Sequence, residues 1–255
     1  MSNSHFYEER PSKASAHAAD WAQPRAMDGP GATTAWQALA QGRRSTRRFQ
    51  DRPIPEGWLE EMLMEARCAP SGANLQPGDF FLVDGAARQH LSHQLVKAHR
   101  EGAPVREDYT YFPEPMPMML RRRQVAAAQA LYGALGTARN DQCARSAQFE
   151  RNFRFFDAPV ALVITIDNRL RNGCFMDLGM CLYGVMLAAA ARGLGSCGIG
   201  ALASYADIVR EALSLESGHT IVCGLAVGYA DPLAPENGIR TPRRALSDYF
   251  RVTCQ

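Results

Sequence analysis

Apolar positions recur along this chain in two rhythms, one of helices and one of strands. Trp58, Leu59, Met62, Leu63 and Ala66 fall on one helical face, so the stretch after Pro53 and Pro55 predicts a helix packed on a core. Pro70 ends it, and the turn-prone loop 71–78 leads to Asp-Phe-Phe-Leu-Val-Asp at 79–84, a predicted buried strand. A polar-faced helix is predicted at 86–100 and another at 118–135, the second with Val125, Ala128, Leu131, Tyr132 and Leu135 on one side. The β-rich apolar runs 159–166 and 220–229 predict core strands. Between them, 175–192 reads as a helix apolar almost all round, which belongs in the centre of the fold or in a subunit interface. A first helix is expected after Thr33 and Thr34, carrying Trp36 and Leu39. Residues 1–32 have no sustained period and read as a flexible extension or arm, which leaves 33–255 as one domain.

Gly193-Leu194-Gly195-Ser196-Cys197-Gly198 matches the letters of the dinucleotide fingerprint. The context rejects it, because a long helix precedes these glycines where the fingerprint needs a strand. They read instead as a loop that exposes backbone. The next helix is expected to start near Ser204, with Asp207 as a capping-box-like partner.

Composition narrows the class. At 255 residues, 46% hydrophobic and net charge +2, the chain is an ordinary globular protein with no strong steering toward nucleic acid. Seven cysteines, an odd number without Cys-x-x-Cys spacing, argue for a reducing compartment rather than a disulfide framework or zinc site. His90 and His93 lie one turn apart with no third metal ligand suggested. No secretory-signal core is evident, and the longest uncharged apolar run, 178–191, is too short to span a bilayer. A soluble cytoplasmic protein is expected, with no membrane or nucleic-acid partner.

The basic residues are concentrated. Arg43-Arg44-Ser45-Thr46-Arg47-Arg48 packs four guanidiniums and two hydroxyls into six positions, and Arg240-Thr241-Pro242-Arg243-Arg244 is a second such segment. Arginine forks bind phosphate bidentately and stay charged. If the fold joins the segments they make one phosphomonoester pocket; if it does not, they are solvated surface. Arg121, Arg122 and Arg123 sit at the start of the helix at 118–135, where cations oppose the helix dipole. They are either solvated charge or contacts to an anionic ligand. The proline-rich loop 101–117, holding Tyr109, Tyr111 and Phe112, is long enough to be functional.

The order Arg43-Arg44-Ser45-Thr46-Arg47-Arg48-Phe49, Pro53-Ile54-Pro55, a helix, Ala69-Pro70-Ser71-Gly72-Ala73-Asn74-Leu75-Gln76-Pro77 and a strand resembles the flavin-dependent nitroreductase family. Arg151-Asn152-Phe153-Arg154-Phe155-Phe156-Asp157-Ala158-Pro159 and Gly228-Tyr229-Ala230-Asp231-Pro232 resemble its nitrobenzoate-reducing members. The resemblance implies an α+β, three-layer fold: a central, mostly antiparallel sheet flanked by helices, in an intertwined homodimer. It implies flavin mononucleotide (FMN) with its phosphate between Arg43, Ser45 and Arg243 or Arg244, Arg44 on phosphate or ribityl, and Arg47 near N1 and O2 of the ring. Pro70, Ser71, Gly72 and Asn74, supported by Gln76, would close over the ring from the partner subunit. Gly198, Ile199 and Gly200 would present backbone N–H groups to it. The implied reaction is ping-pong: NAD(P)H reduces the flavin and an aromatic acceptor reoxidises it, under a cap at 101–135 where Tyr109, Tyr111 and Arg123 are candidate substrate contacts.

Two segments depart from the pattern, Pro77-Gly78-Asp79 and Ser196-Cys197-Gly198. Both remove bulk near the expected cofactor. A specialised biosynthetic flavoenzyme, or a flavin binder without turnover, is therefore the alternative. A basic-patch nucleic-acid binder is the reading furthest from these motifs.

Overall fold

The structure, a computed structural model, describes residues 30–253. Residues 1–29, most of the expected extension, lie outside the described residues. The chain divides into two units between Ala38 and Leu39, and the sheet with both its helical layers belongs to the second.

Four strands form one antiparallel sheet in the order β1 (Asp79–Leu82), β2 (Val160–Asp167), β4 (His219–Gly228), β3 (Gly195–Ile199). The helices are α1 (Pro30–Gly42), α2 (Trp58–Ala66), α3 (Gly85–Arg100), α4 (Met118–Ala134), α5 (Gln142–Glu150), α6 (Asn172–Ala191) and α7 (Ala206–Ala212). β2 is buried from Val160 to Ile166 because helices cover both faces of the sheet. Its side chains alternate between two cores. Ala161 and Val163 join Leu91 and Leu95 of α3, Val209 of α7 and the three phenylalanines at 153, 155 and 156. Leu162, Ile164 and Ile166 join Met62 and Ala66 of α2 and Leu178, Val185 and Ala189 of α6. Each fully buried Val, Leu, Ile, Phe or Met among them contributes about 1.5–3 kcal/mol of transfer free energy. The three-layer α+β expectation is met.

Local differences have local causes. Helix α1 begins at Pro30, ahead of the expected threonine cap. The glycine-rich run is not a loop over most of its length: Gly195–Ile199 is edge strand β3, paired with β4 from Gly228 to Gly224. The register with β4 overrides weak glycine strand propensity. Helix α7 starts at Ala206 without a side-chain cap. The Asp207 carboxylate turns instead to Arg106 at 3.4 Å and Arg210 at 3.3 Å. Helix α5 was not anticipated, although Asp141 caps it by accepting from the Ala144 N–H at 2.9 Å.

Helix α6 runs 20 residues, longer than the 178–191 run suggests, and is long and apolar enough to cross a bilayer by length and composition. It is not apolar-buried all round. Asp177, Leu178, Val185, Ala188 and Ala189 are buried, whereas Met176, Met180 and Tyr183 form an exposed stripe at helical spacing. Helix α4 has no buried residue at all.

Candidate active site

The arginine stretch is laid along the free edge of β3. Ser45 bridges Ser196 in parallel, and the Thr46 N–H donates to the Ser196 carbonyl at 2.9 Å. Further on, Phe49 bridges Ala230, the Gln50 N–H donates to Tyr229 O and the Asp231 N–H to Arg48 O. Thr46 and Phe49 are buried, and Thr46 fits only because Gly195 beside it has no Cβ. Arg43, Arg44, Ser45 and Arg47 are left to line a cavity of about 320 Å³.

Arg240, Thr241 and Arg243 line the same cavity, so the fold does join the two basic segments. The Arg240 guanidinium donates to the Gln41 carbonyl at the end of α1, which fastens the second segment beside the first. Among the described residues no carboxylate lies within ion-pair distance of Arg43, Arg44, Arg47 or Arg243. Uncompensated guanidiniums and two hydroxyls are the donor set of a phosphomonoester dianion, and FMN carries such a group. The Cys197 thiol backs this cavity. Burial pushes it up, against the pull of Arg47, Ser45 and Arg43, and keeps it neutral. Arg240 was expected in this pocket only as part of the second basic segment, not as a phosphate contact in its own right.

Arg244 stands elsewhere. It lines a second cavity of about 400 Å³ with Arg122, Arg123, Arg243 and Asp248. Its guanidinium donates to the Asp248 carbonyl and lies 5.5 Å from the Tyr249 ring centroid. Arg243 and Thr241 are common to both cavities, so the two adjoin. Arg123 thus meets three other arginines, while Arg121 lines neither cavity.

The 70–76 loop occupies a third place. Pro70, Ser71 and Gln76 line a cavity of about 300 Å³ with Arg67, Asp177 and Gly78, and share no lining residue with the arginine cavity of the same chain. The loop is shaped by left-handed residues at Ala73, Asn74 and Gln76, with φ of 50°, 57° and 46°. The Gln76 N–H donates to Ser71 Oγ at 2.9 Å and Gln76 Nε2 to the Asn74 carbonyl at 3.3 Å. The Gly72 N–H donates to buried Asp177 on α6 at 3.0 Å. Gly78 has φ of 109° and its α-carbon faces Leu178, so this departure from the family pattern is enforced by turn and packing alike.

Ile199 points into the core while Gly198 is exposed. Gly200 carries the ring of Tyr111: a Cβ there would stand 3.5 Å from it. The proline-rich segment is fastened upstream of that ring. Asp108 accepts from Arg210 at 2.6 Å and from the Ile221 N–H at 2.8 Å. The Tyr109 hydroxyl donates to the Val222 carbonyl at 2.8 Å, and burial pushes its ionisation well above the usual range. Tyr109 therefore anchors the segment. Tyr111 and Phe112, with ring centroids 4.7 Å apart, stay half exposed.

Comparisons with known proteins agree with this geometry. The nitroreductase family profile matches residues 40–229. The chloronitrobenzene nitroreductase of Comamonas testosteroni is 35% identical over 213 residues, 83% of this chain and 93% of that protein. The 4-nitrobenzoate reductase of Pseudomonas putida is 34% identical over 217 residues, 85% of this chain and 95% of that one. Among solved structures, the FMN-dependent nitroreductase NfnB of Mycobacterium smegmatis in complex with NADPH superposes with a TM-score of 0.82 at 34% identity. That match covers 88% of this chain and 100% of that one. From the arginine cavity, the three-layer fold and these matches together, the chain belongs to the nitroreductase family.

Proposed function

We propose that this protein is an FMN-dependent oxidoreductase that passes two electrons from NAD(P)H to a nitroaromatic acceptor, donor and acceptor using the same slot in turn. The observation that carries it is the convergence of Arg43, Arg44, Ser45, Arg47, Arg240 and Arg243 on one cavity without a counter-charge among the described residues. Bound flavin supplies the two-electron chemistry. The chain's own residues bind and orient. Arg43, Ser45, Arg240 and Arg243 hold the phosphate, Arg44 phosphate or ribityl, and Arg47 is the fixed cation for the ring end, where it favours the charge that arrives with the electrons. Tyr111 on Gly200 supplies an aromatic wall.

The active species in this reading is a homodimer. The 70–76 loop and the arginine cavity share no lining residue within one chain, as expected if Pro70, Ser71, Gly72 and Asn74 serve the partner's flavin. The exposed stripe of α6 and the uncovered α4 are the apolar surface such a dimer needs. The acceptor carries an anionic group, because Arg122, Arg123 and Arg244 extend the basic lining beyond what one phosphate requires. The free thiols of all six described cysteines support a reducing, cytoplasmic location.

The test is an absorbance spectrum of the purified protein under anaerobic conditions. Flavin bands are expected to bleach on adding NADPH or NADH and to return when 4-nitrobenzoate is added. Bands unmoved by either nucleotide would sink the reductase reading. A protein that takes up no FMN would sink the cofactor reading as well.

A further inference from the structure

Two motifs singled out in the sequence, the phenylalanine-rich 151–159 and the turn after Gly228, touch no cavity described above. Both are tied to the arginine stretch through the Glu236–Asn237 pair, the first by Arg151 and the second by the Asp231 carbonyl. Asn237 ends a single 3-10 turn, Pro235–Asn237, and is buried with its neighbour Glu236. Asn237 Oδ1 accepts from the Arg47 N–H at 2.8 Å and from the Arg48 N–H at 3.3 Å. Its Nδ2 donates to the Arg48 carbonyl at 2.7 Å and to the Asp231 carbonyl at 2.9 Å. Both acceptor and both donor positions of the amide are thus used. Aspartate would turn carboxylate oxygen toward two carbonyls, and alanine would take the acceptor from the part-buried Arg47 and Arg48 N–H groups and leave the Arg48 and Asp231 carbonyls with one donor each.

Glu236 keeps that amide in place. Its carboxylate meets buried Arg151 at 3.1 Å and Arg48 Nε at 3.5 Å. Arg151 in turn donates to the Phe156 carbonyl at 3.4 Å and reaches Asp157 at 3.5 Å. Those residues belong to a left-handed turn: Phe155, Phe156 and Asp157 have φ of 52°, 54° and 61°. Non-glycine residues enter that region at a cost of about 1–2 kcal/mol each. Here the turn is held by two buried phenylalanines, by Arg151, and by Arg88, which donates to the Ala158 carbonyl at 2.5 Å. The turn delivers a cation to Glu236, and Glu236 delivers Asn237 to the arginines.

We infer that Asn237, braced by the buried Arg151–Glu236 pair, is a positioning residue that fixes the Arg47–Arg48 backbone and through it the Arg47 guanidinium. The inference rests on the reading of Arg47 as the cation of the flavin ring. A guanidinium acts on a redox group only from a defined place, so loosening its backbone weakens its effect without removing its charge.

The experiment is a double-mutant cycle on the FMN-loaded protein, with the midpoint potential as its readout. Asn237→Asp and Arg47→Ala are made singly and together, and circular dichroism of each confirms the fold. Asn237→Asp is expected to lower the potential in the same direction as Arg47→Ala, and to lower it no further once Arg47 is gone. An equal fall in both backgrounds would show that Asn237 acts without Arg47 and would overturn the inference. So would an unmoved potential in Asn237→Asp beside a lowered one in Arg47→Ala. An unmoved potential in Arg47→Ala itself would overturn the ring assignment, and this inference with it. If Asn237→Asp does not fold, Glu236→Gln takes its place in the same cycle, with a smaller fall expected and the same outcomes deciding.

Discussion

The arginine cavity and the exposed apolar residues of α6 and α4 with the 70–76 loop are built on opposite terms. The cavity is completed by its own chain. Its stretch is held by β3 at Ser196, by the turn at 229–231 and by three of the four hydrogen bonds of Asn237. The other leaves Met118 of α4 and Met176 of α6 each 67% exposed, and the cavity of its loop shares no lining residue with the arginine cavity. In the dimer proposed above, phosphate binding is encoded in one subunit, whereas the ring's surroundings belong to the pair.

The largest expected effect breaks the second half. Met180→Lys puts a charge in the middle of the exposed α6 stripe. Truncating an interface hot spot costs about 2–4 kcal/mol, about 30- to 1,000-fold in association, and a buried charge costs no less. Light scattering should show monomer at concentrations where the parent is a dimer, and FMN should be lost with the partner's loop. A variant that stays monomeric and keeps its FMN would show that one chain completes the site, which would end the comparison.

Next comes the half that one chain finishes. Arg43→Ala removes a charge-assisted phosphate contact worth about 1.5–3 kcal/mol. FMN affinity, followed by flavin fluorescence, should fall about 10- to 150-fold while the dimer persists. Unchanged occupancy after dialysis would remove Arg43 from the phosphate site.

How far the sequence could be read follows the same division. Side-chain type and spacing announced the cradle: arginines, hydroxyls and a second basic run need only be brought together. Periodicity announced α2, which buries one regular face, and continuous apolar runs announced β2 and β4, which are covered on both faces. What stayed hidden depended on pairing across the chain. Gly195–Ile199 is a strand because β4 and Ser45 flank it, and nothing in five residues with two glycines says so. The left-handed turn at 155–157 follows from burial and from Arg151 and Arg88, against the local preference of phenylalanine. Asn237 looks like any turn asparagine until its four partners, up to 190 residues away, are in place.

A smaller effect sharpens the border between the cavities. Arg122→Gln with Arg123→Gln removes two exposed cations from the 400 Å³ cavity and leaves Arg243 in place. Exposed ion pairs contribute about 0–1 kcal/mol each, so the KM for 4-nitrobenzoate should rise about 5-fold, with that for uncharged nitrobenzene and the FMN content unchanged. Equal changes for both acceptors would mean that the cavity does not read the acid.

The smallest effect tests whether the completed half is stable by itself. Glu150, at the end of α5, accepts from Arg100 at 2.7 Å, and that hydrogen bond holds its carboxyl below the ordinary 4.5 of glutamate. A folded-state value below the unfolded one means stability that is present above the ordinary value and lost as pH falls from there through the folded-state value. Wild type should therefore melt a little higher than Glu150→Gln near neutral pH, with the gap closing from about pH 5 downward. Arg100 is largely exposed, so solvent screens the pair and the gap is small. The informative comparison is concentration. The gap at Glu150 should be the same in dilute and concentrated protein, since both partners lie in one chain, whereas the melting point of Met180→Lys should differ most from wild type where wild type is most fully dimeric. A Glu150 gap that varied with concentration would place this ion pair, too, under the control of the second subunit.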